Sequence, residues 1–121
     1  EGTRFTEEKH RRQGGPYQYL LRPKAGGVAF VLEAMGDALH AVIDVTIAYP
    51  GGTPTMVDLL GGRIPEIVIE VRELPIPAEV PGSRYEQDSA ARVRYQRWVN
   101  DIWVDKDARL ERILGKAVER A

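Results

Sequence analysis

Ala41-Val42-Ile43-Asp44-Val45-Thr46-Ile47-Ala48-Tyr49, closed by Pro50, is the stretch whose reading decides the fold. It is nearly continuously apolar, and its length suits a strand. A run of this kind is expected to be buried on both faces, as in a parallel strand covered by helices. Pro50 ends it, because proline cannot donate to a ladder. On its N-terminal side, Pro23 to about Leu39 reads as a helix. Pro is favourable in a first turn, where its missing N–H would be unpaired anyway. Val28, Phe30, Val31, Leu32, Ala34 and Met35 give that helix a broad apolar face, and Gly36 marks its end.

On the C-terminal side, Gly51-Gly52 is a turn, and Thr53-Pro54 reads as the cap and first residue of a short helix over 55–60. Gly61-Gly62 ends that helix, and Met56, Val57, Leu59 and Leu60 are expected to pack on the sheet. Arg63 to about Leu74 is a second strand. Ile67, Ile69 and Val71 share one face and Val68, Glu70 and Arg72 the other, which implies one wet face near a sheet edge. Glu70, Arg72 and Glu73 read as paired surface charges. Pro75-Ile76-Pro77 and Pro81-Gly82 form a stiff connector. A long helix follows. Ser83 and Glu86 have capping-box spacing, but Asp88 ahead of Ser89-Ala90-Ala91 is the favoured cap. Tyr95, Trp98, Val99, Ile102, Trp103, Leu110, Ile113, Leu114 and Ala117 form one apolar stripe. Arg94, Arg97, Asp101, Asp105, Asp107, Arg109 and Arg112 lie opposite. Two Trp on a stripe fit either a membrane interface or a protein core, and the mixed signs opposite favour packing on a sheet.

The resulting order is loop, helix, strand, short helix, strand, long helix: an α/β architecture. The 121 residues suit one domain or a piece of one, with 43% hydrophobic and 29% charged residues. A net charge of −1 argues against a general nucleic-acid binder. Without cysteine there is neither a disulfide framework nor a thiolate metal site. No apolar run approaches the ~20 residues that span a bilayer, and no signal peptide is visible. Internal repeats, phosphate-binding Gly loops and zinc spacings are not seen. His10 and His40 lack a nucleophile context, so Ser/His/Asp hydrolysis is not indicated.

The N-terminal stretch carries the chemistry. In Glu1-Gly2-Thr3-Arg4 a carboxylate, a Gly and an Arg lie within four residues, with Lys9-His10-Arg11-Arg12 behind. Gly permits close backbone approach, and the Arg fork suits a phosphate that Glu1 would help to frame by holding the guanidinium. By itself the pattern is also that of an ordinary surface ion pair. Residues 5–22 are polar and basic with a Gly14-Gly15-Pro16 break and read as a loop. Its basic run is either a cationic rim for an anion or a solvated loop.

Glu1-Gly2-Thr3-Arg4 resembles the third motif of the 1-acyl-glycerol-3-phosphate acyltransferases, the glycerolipid and lysophospholipid acyltransferase family. That motif usually reads Phe-Pro-Glu-Gly-Thr-Arg. Arg22-Pro23-Lys24-Ala25-Gly26-Gly27 resembles the helix start that follows it. Asp44 to Pro50 resembles the fourth motif. Trp98-Val99-Asn100-Asp101-Ile102-Trp103 and Lys106-Asp107 resemble the tail of a bacterial, lysocardiolipin-acyltransferase-like branch. The resemblance covers essentially the whole chain. It implies that residues 1–121 are the C-terminal half of a glycerol-3-phosphate acyltransferase-like α/β domain, cut within the Glu-Gly-Thr-Arg motif.

The family's first motif is a His and an Asp with four residues between them. His10 is followed at that spacing by Gly15, and His40 has Asp44 one residue too early, so the acid–base pair is expected upstream and the fragment alone is expected to be inactive. No catalytic residue is assigned within the chain. The resemblance implies transfer of an acyl chain from acyl-coenzyme A or acyl carrier protein to a lysophospholipid hydroxyl, as from lysophosphatidic acid to phosphatidic acid. Substrate binding would fall to Glu1, Gly2, Thr3, Arg4 and Lys24, with no metal or other cofactor and no nucleic acid. Lys24 and the helix start would face the bound phosphate; alternatively, the two glycines serve tight packing and Lys24 is solvated. Tyr17, Tyr19, Leu20 and Leu21 line an acyl groove or simply pack. The parent would work at the cytoplasmic face of the inner membrane, while the fragment would be soluble, with an exposed strand edge that favours homodimers. The competing reading is a noncatalytic module that holds a protein or membrane through the Trp98/Trp103 helix.

Overall fold

The computed structural model describes residues 1, 4–52, 54–78 and 84–120, with side chains to residue 116. The elements are α1 (Glu7–Gln13), α2 (Gly26–Met35) continued by a 3-10 turn (Gly36–Ala38), β1 (Ala41–Ala48), α3 (Met56–Leu60), β2 (Val68–Pro75) and α4 (Ser89–Arg120). This is a mixed helix-and-strand fold. The expected caps at Thr53 and Ser83 lie outside the described residues, as does the side chain of Ala117. Asp88 caps α4, its carboxylate accepting the Ala90 N–H at 2.9 Å.

Several expectations are corrected. First, residues 5–22 are not all loop. Thr6 accepts the Lys9 N–H, Glu7 and Glu8 occupy the first turn of α1, basic residues the last, and Gly14 closes it at φ 59. The caps and the macrodipole complement stabilise a helix that has no apolar stripe to announce it. Second, α2 starts at Gly26 and not at Pro23; residues 17–23 form an irregular strap that is neither helix nor strand. Its buried stripe is Ala25, Ala29 and Leu32, while Phe30 is 73% exposed. Third, β1 and β2 form an antiparallel pair, with Ala41 opposite Pro75 and Ala48 opposite Val68. Among the described residues the connection over 49–67 carries only the single turn of α3 and no long crossover helix of the βαβ kind, and β2 comes back beside β1 in the antiparallel sense. The exposed Met56, Val57, Leu59 and Leu60 do not pack on the sheet.

The sheet also presents the opposite face to the one expected. Asp44, Thr46 and Ala48 of β1 are buried. Glu70 and Arg72 of β2 reach α4 through ion pairs. Ile43, Val45, Ile47, Ile69 and Val71 are exposed on the far side. The charges of α4 assigned to solvent explain the inversion. Asp44 Oδ2 accepts from Arg72 at 3.0 and 2.7 Å. Its Oδ1 accepts from Lys106 Nζ at 2.7 Å. Lys106 also donates to the Val45 carbonyl at 2.7 Å, and Arg109 reaches Glu70 at 3.0 Å. Arg72 also meets Asp105 at 3.4 Å. Glu70 and Arg72 are thus inter-element pairs rather than surface pairs; only Glu73 is exposed as expected.

A second core lies where α2 crosses α4. Ala25, Ala29, Leu32, Tyr95 and Val99 pack together, flanked by Leu39, Ile76, Tyr85, Trp98 and Trp103. Both indoles therefore serve the core.

Burial acts to raise the Asp44 carboxyl, but hydrogen bonds and charge from Lys106 and Arg72 outweigh it and hold the group below its ordinary range. A lowered folded value stabilises the fold above the ordinary carboxylate value of about 4, and that contribution is lost as pH falls below it. Asp44→Ala removes the carboxylate partner of Lys106 and leaves Arg72 only the exposed Asp105, and is expected to cost about 3 kcal/mol in urea unfolding at pH 7. The difference between wild type and variant should shrink as the pH is lowered below 4. A pH-independent difference would show that the ion network is not the source.

Candidate functional site

The N-terminal motif is held against the strap. Glu1 Oε1 accepts the Leu21 N–H at 3.0 Å, so this carboxylate satisfies a backbone donor. Among the described residues no ion pair joins Glu1 to Arg4, which corrects the expected role of Glu1 as the holder of the guanidinium. Arg4 is exposed, and its carbonyl receives Lys9 Nζ at 3.2 Å. Gly2 and Thr3 lie outside the described residues. Lys24 is exposed between the strap and α2.

The strap is tied down by α4. Asp107 accepts the N–H groups of Gln18 and Tyr19 at 2.9 and 2.8 Å. The indole N–H of Trp103 donates to the Leu21 carbonyl at 3.1 Å, and the Gln96 amide donates to that of Pro23 at 3.1 Å. Spacings of seven and four residues put Gln96, Trp103 and Asp107 on one helix face. His10 Nε2 bonds to the Tyr17 carbonyl, and its ring lies 5.4 Å from that of Phe5. Burial pushes the Tyr17 phenol up, opposed by Arg22 and assisted by Asp107.

Between α1, the strap, the end of β1 and α4 lies a groove of about 560 Å³. Phe5, Leu20, Ile47, Leu110 and Leu114 supply its apolar lining, with Glu7, His10, Gln18, Tyr19 and Tyr49 adding polar groups. Neither Arg4 nor Lys24 lines it; Phe5, the residue after Arg4, does. The expected groove residues are divided: Tyr19 and Leu20 face the groove, whereas Tyr17 and Leu21 are buried. Leu110 and Leu114 were visible in the sequence only as part of the α4 stripe. The strap-holding role of Asp107 had no signal beyond its register with Gln96 and Trp103. Such an arrangement can hold an elongated amphipathic ligand. It offers no His and Asp at the spacing of an acid–base pair.

Comparison with known proteins gives consistent homologues. The chain is 38% identical over 100 residues to lysocardiolipin acyltransferase 1 of Gallus gallus, covering 79% of the chain and 24% of that protein. It is 34% identical over 118 residues to lysocardiolipin acyltransferase 1 of Danio rerio, covering 93% of the chain and 28% of that protein. It is 30% identical over 127 residues to 1-acyl-sn-glycerol-3-phosphate acyltransferase gamma of Mus musculus, covering 98% of the chain and 31% of that protein. The chain thus spans less than a third of the length of these relatives. No family model matches it, and no solved structure matches it. These relatives are vertebrate proteins and lend no support to a bacterial origin.

The glycines at the start of α2 can be tested separately. A Cβ at Gly27 would meet nothing within 4 Å, and one at Gly26 only the Tyr85 ring at 3.9 Å. Tight packing therefore does not require them. Gly27→Ala is expected to stabilise the chain by up to about 1 kcal/mol in thermal unfolding. Destabilisation would mean that a neighbour packs more closely there than the structure shows.

Proposed function

We infer that this chain is part of a lysophospholipid acyltransferase, the family to which its homologues belong, and that its share of the work is to bind the acceptor lipid. The observation carrying this reading is a pairing of two features: Arg4, an exposed residue of the Glu-Gly-Thr-Arg motif, and a groove lined by its sequence neighbour Phe5. A lysophospholipid needs both, a cation for its phosphate and an apolar channel for its chain.

In the proposed reaction the acceptor hydroxyl attacks the carbonyl of an acyl thioester, on coenzyme A or acyl carrier protein. The C–O ester bond forms, the C–S bond breaks, and the thiol leaves with the proton. Removal of that proton is assigned to a His/Asp pair in a part of the enzyme outside these 121 residues. Arg4 neutralises the acceptor phosphate and fixes its position relative to the reacting carbonyl. Gly2 and Thr3 complete the motif around the phosphate, and Lys24 adds positive charge at the end of the strap. Glu1 serves the site by anchoring the strap at Leu21 rather than by holding Arg4. The fragment by itself is proposed to be inactive.

No helix among the described residues is long and apolar enough to cross a membrane. We place the parent at the cytoplasmic face of the inner membrane, where a lysophospholipid is at hand. The noncatalytic reading loses its binding surface, because Trp98 and Trp103 are engaged in the core and Trp103 also bonds the strap. The exposed apolar face of the hairpin supports self-association of the isolated chain; a clean monomer by light scattering at high concentration would oppose that proposal.

Arg4→Ala in the full-length enzyme is expected to raise KM for lysophosphatidic acid at least tenfold, about 1.4 kcal/mol of acceptor binding, with acyl-coenzyme A as donor. An unchanged rate and KM would remove Arg4 from the phosphate site.

A further inference from the structure

We propose that Asp107 is a positioning residue for the acceptor site, acting through the strap. The inference rests on the acyltransferase reading and adds a residue that the N-terminal motif does not contain. Both Asp107 oxygens are committed: Oδ2 accepts from Gln18 N–H at 2.9 Å and Oδ1 from Tyr19 N–H at 2.8 Å. The side chains of Gln18 and Tyr19 line the groove, so this carboxylate fixes one of its walls without touching what it would hold. Two residues further, Leu21 is gripped from both sides. Its carbonyl receives the Trp103 indole N–H, and its own N–H is received by Glu1 at the head of the motif. One face of α4 therefore sets the distance between the motif and the groove wall.

The strap has no strand neighbour to satisfy its backbone. It belongs to neither helix nor sheet, and its N–H and carbonyl groups take side-chain partners from α4, α1 and the N-terminus. A backbone segment held by side chains alone moves when one of them is removed. Asp107→Asn nearly preserves size but replaces one acceptor oxygen with an NH2 group that faces a backbone N–H. The wall is then expected to detach at Gln18 and Tyr19, while the α2–α4 core stays in place.

Two measurements separate this inference from the function it rests on. In the full-length enzyme, Asp107→Asn should raise hydrogen exchange, read by mass spectrometry, at least tenfold in the segment holding Gln18 and Tyr19. Exchange in the middle of α4 should not change. In the full-length enzyme, the same substitution should raise KM for lysophosphatidic acid three- to tenfold with kcat within twofold. Asp107→Glu should restore part of the loss, and Glu111→Gln, exposed on the same helix, should do nothing. Unchanged exchange at Gln18 and Tyr19 overturns the geometric link. Faster exchange with an unchanged KM overturns the positioning role while leaving the acyltransferase reading intact. A fall in kcat alone, or equal loss in every α4 variant, points to general damage and also overturns it. If the wild-type enzyme transfers no acyl group to a lysophospholipid, the function fails and this inference fails with it.

Discussion

A single carboxylate decides how the hairpin meets the long helix. Asp44 is shared between Arg72 on the neighbouring strand and Lys106 on α4, and all three side chains are nearly buried. An alternating strand can turn either face to a helix, and hydrophobicity favours the one bearing Ile43, Val45, Ile47, Ile69 and Val71. That face looks outward here. Turning it inward would strand Asp44, Arg72 and Glu70 on the other side of the sheet from Lys106 and Arg109, leaving the two helix cations against an apolar surface. An ion network of this kind adds little net stability over a well-packed apolar core, and its value here lies in selecting one orientation.

The same helix holds a second element with the residue next in sequence. Lys106 and Asp107 point about 100° apart around α4, so one reaches the sheet and the other the strap. Lys106 also lies 5.5 Å from the Trp103 ring, and Trp103 in turn bonds the strap at Leu21. Sheet, helix and strap thus meet within one turn of α4. The groove lies where the three diverge, its floor made by Leu110 and Leu114 one and two turns later. Its shape follows from where α4 is pinned.

Much of the element order was legible because it rests on local signals: the apolar run at 41–49, the Gly61-Gly62 stop and the Asp88 cap. The corrections share a cause. Periodicity reports which residues lie on one face, but it does not report what covers that face. Assigning the apolar face inward is sound when the sequence in hand holds all the partners. Here Glu70, Arg72 and Arg109 read as facing water because their partners lie on other elements, and spacing within one element does not reveal pairs between elements. α1 was missed for a different reason: Thr6, Glu7, Glu8 and Gly14 are cap signals without an apolar stripe. Of the candidate site, the motif was legible as residues, whereas the anchoring of Glu1 on Leu21 depends on a segment twenty positions away.

The outward apolar face bears on association. Five branched side chains exposed on one side of a two-stranded sheet are costly to hydrate, and a self-contained domain normally covers such a surface. A two-stranded hairpin is also marginal by itself and needs a packed face to persist. In this chain that face is the polar one, held by α4 through ion pairs, and the apolar face remains available for association. An arrangement that turns its charges inward and keeps its hydrophobic residues outward leaves a surface suited to association. The chain spans less than a third of the length of these relatives. The candidate site follows the same logic: one groove wall is fixed by contacts within the chain, while the acid–base chemistry of the proposed reaction is assigned elsewhere.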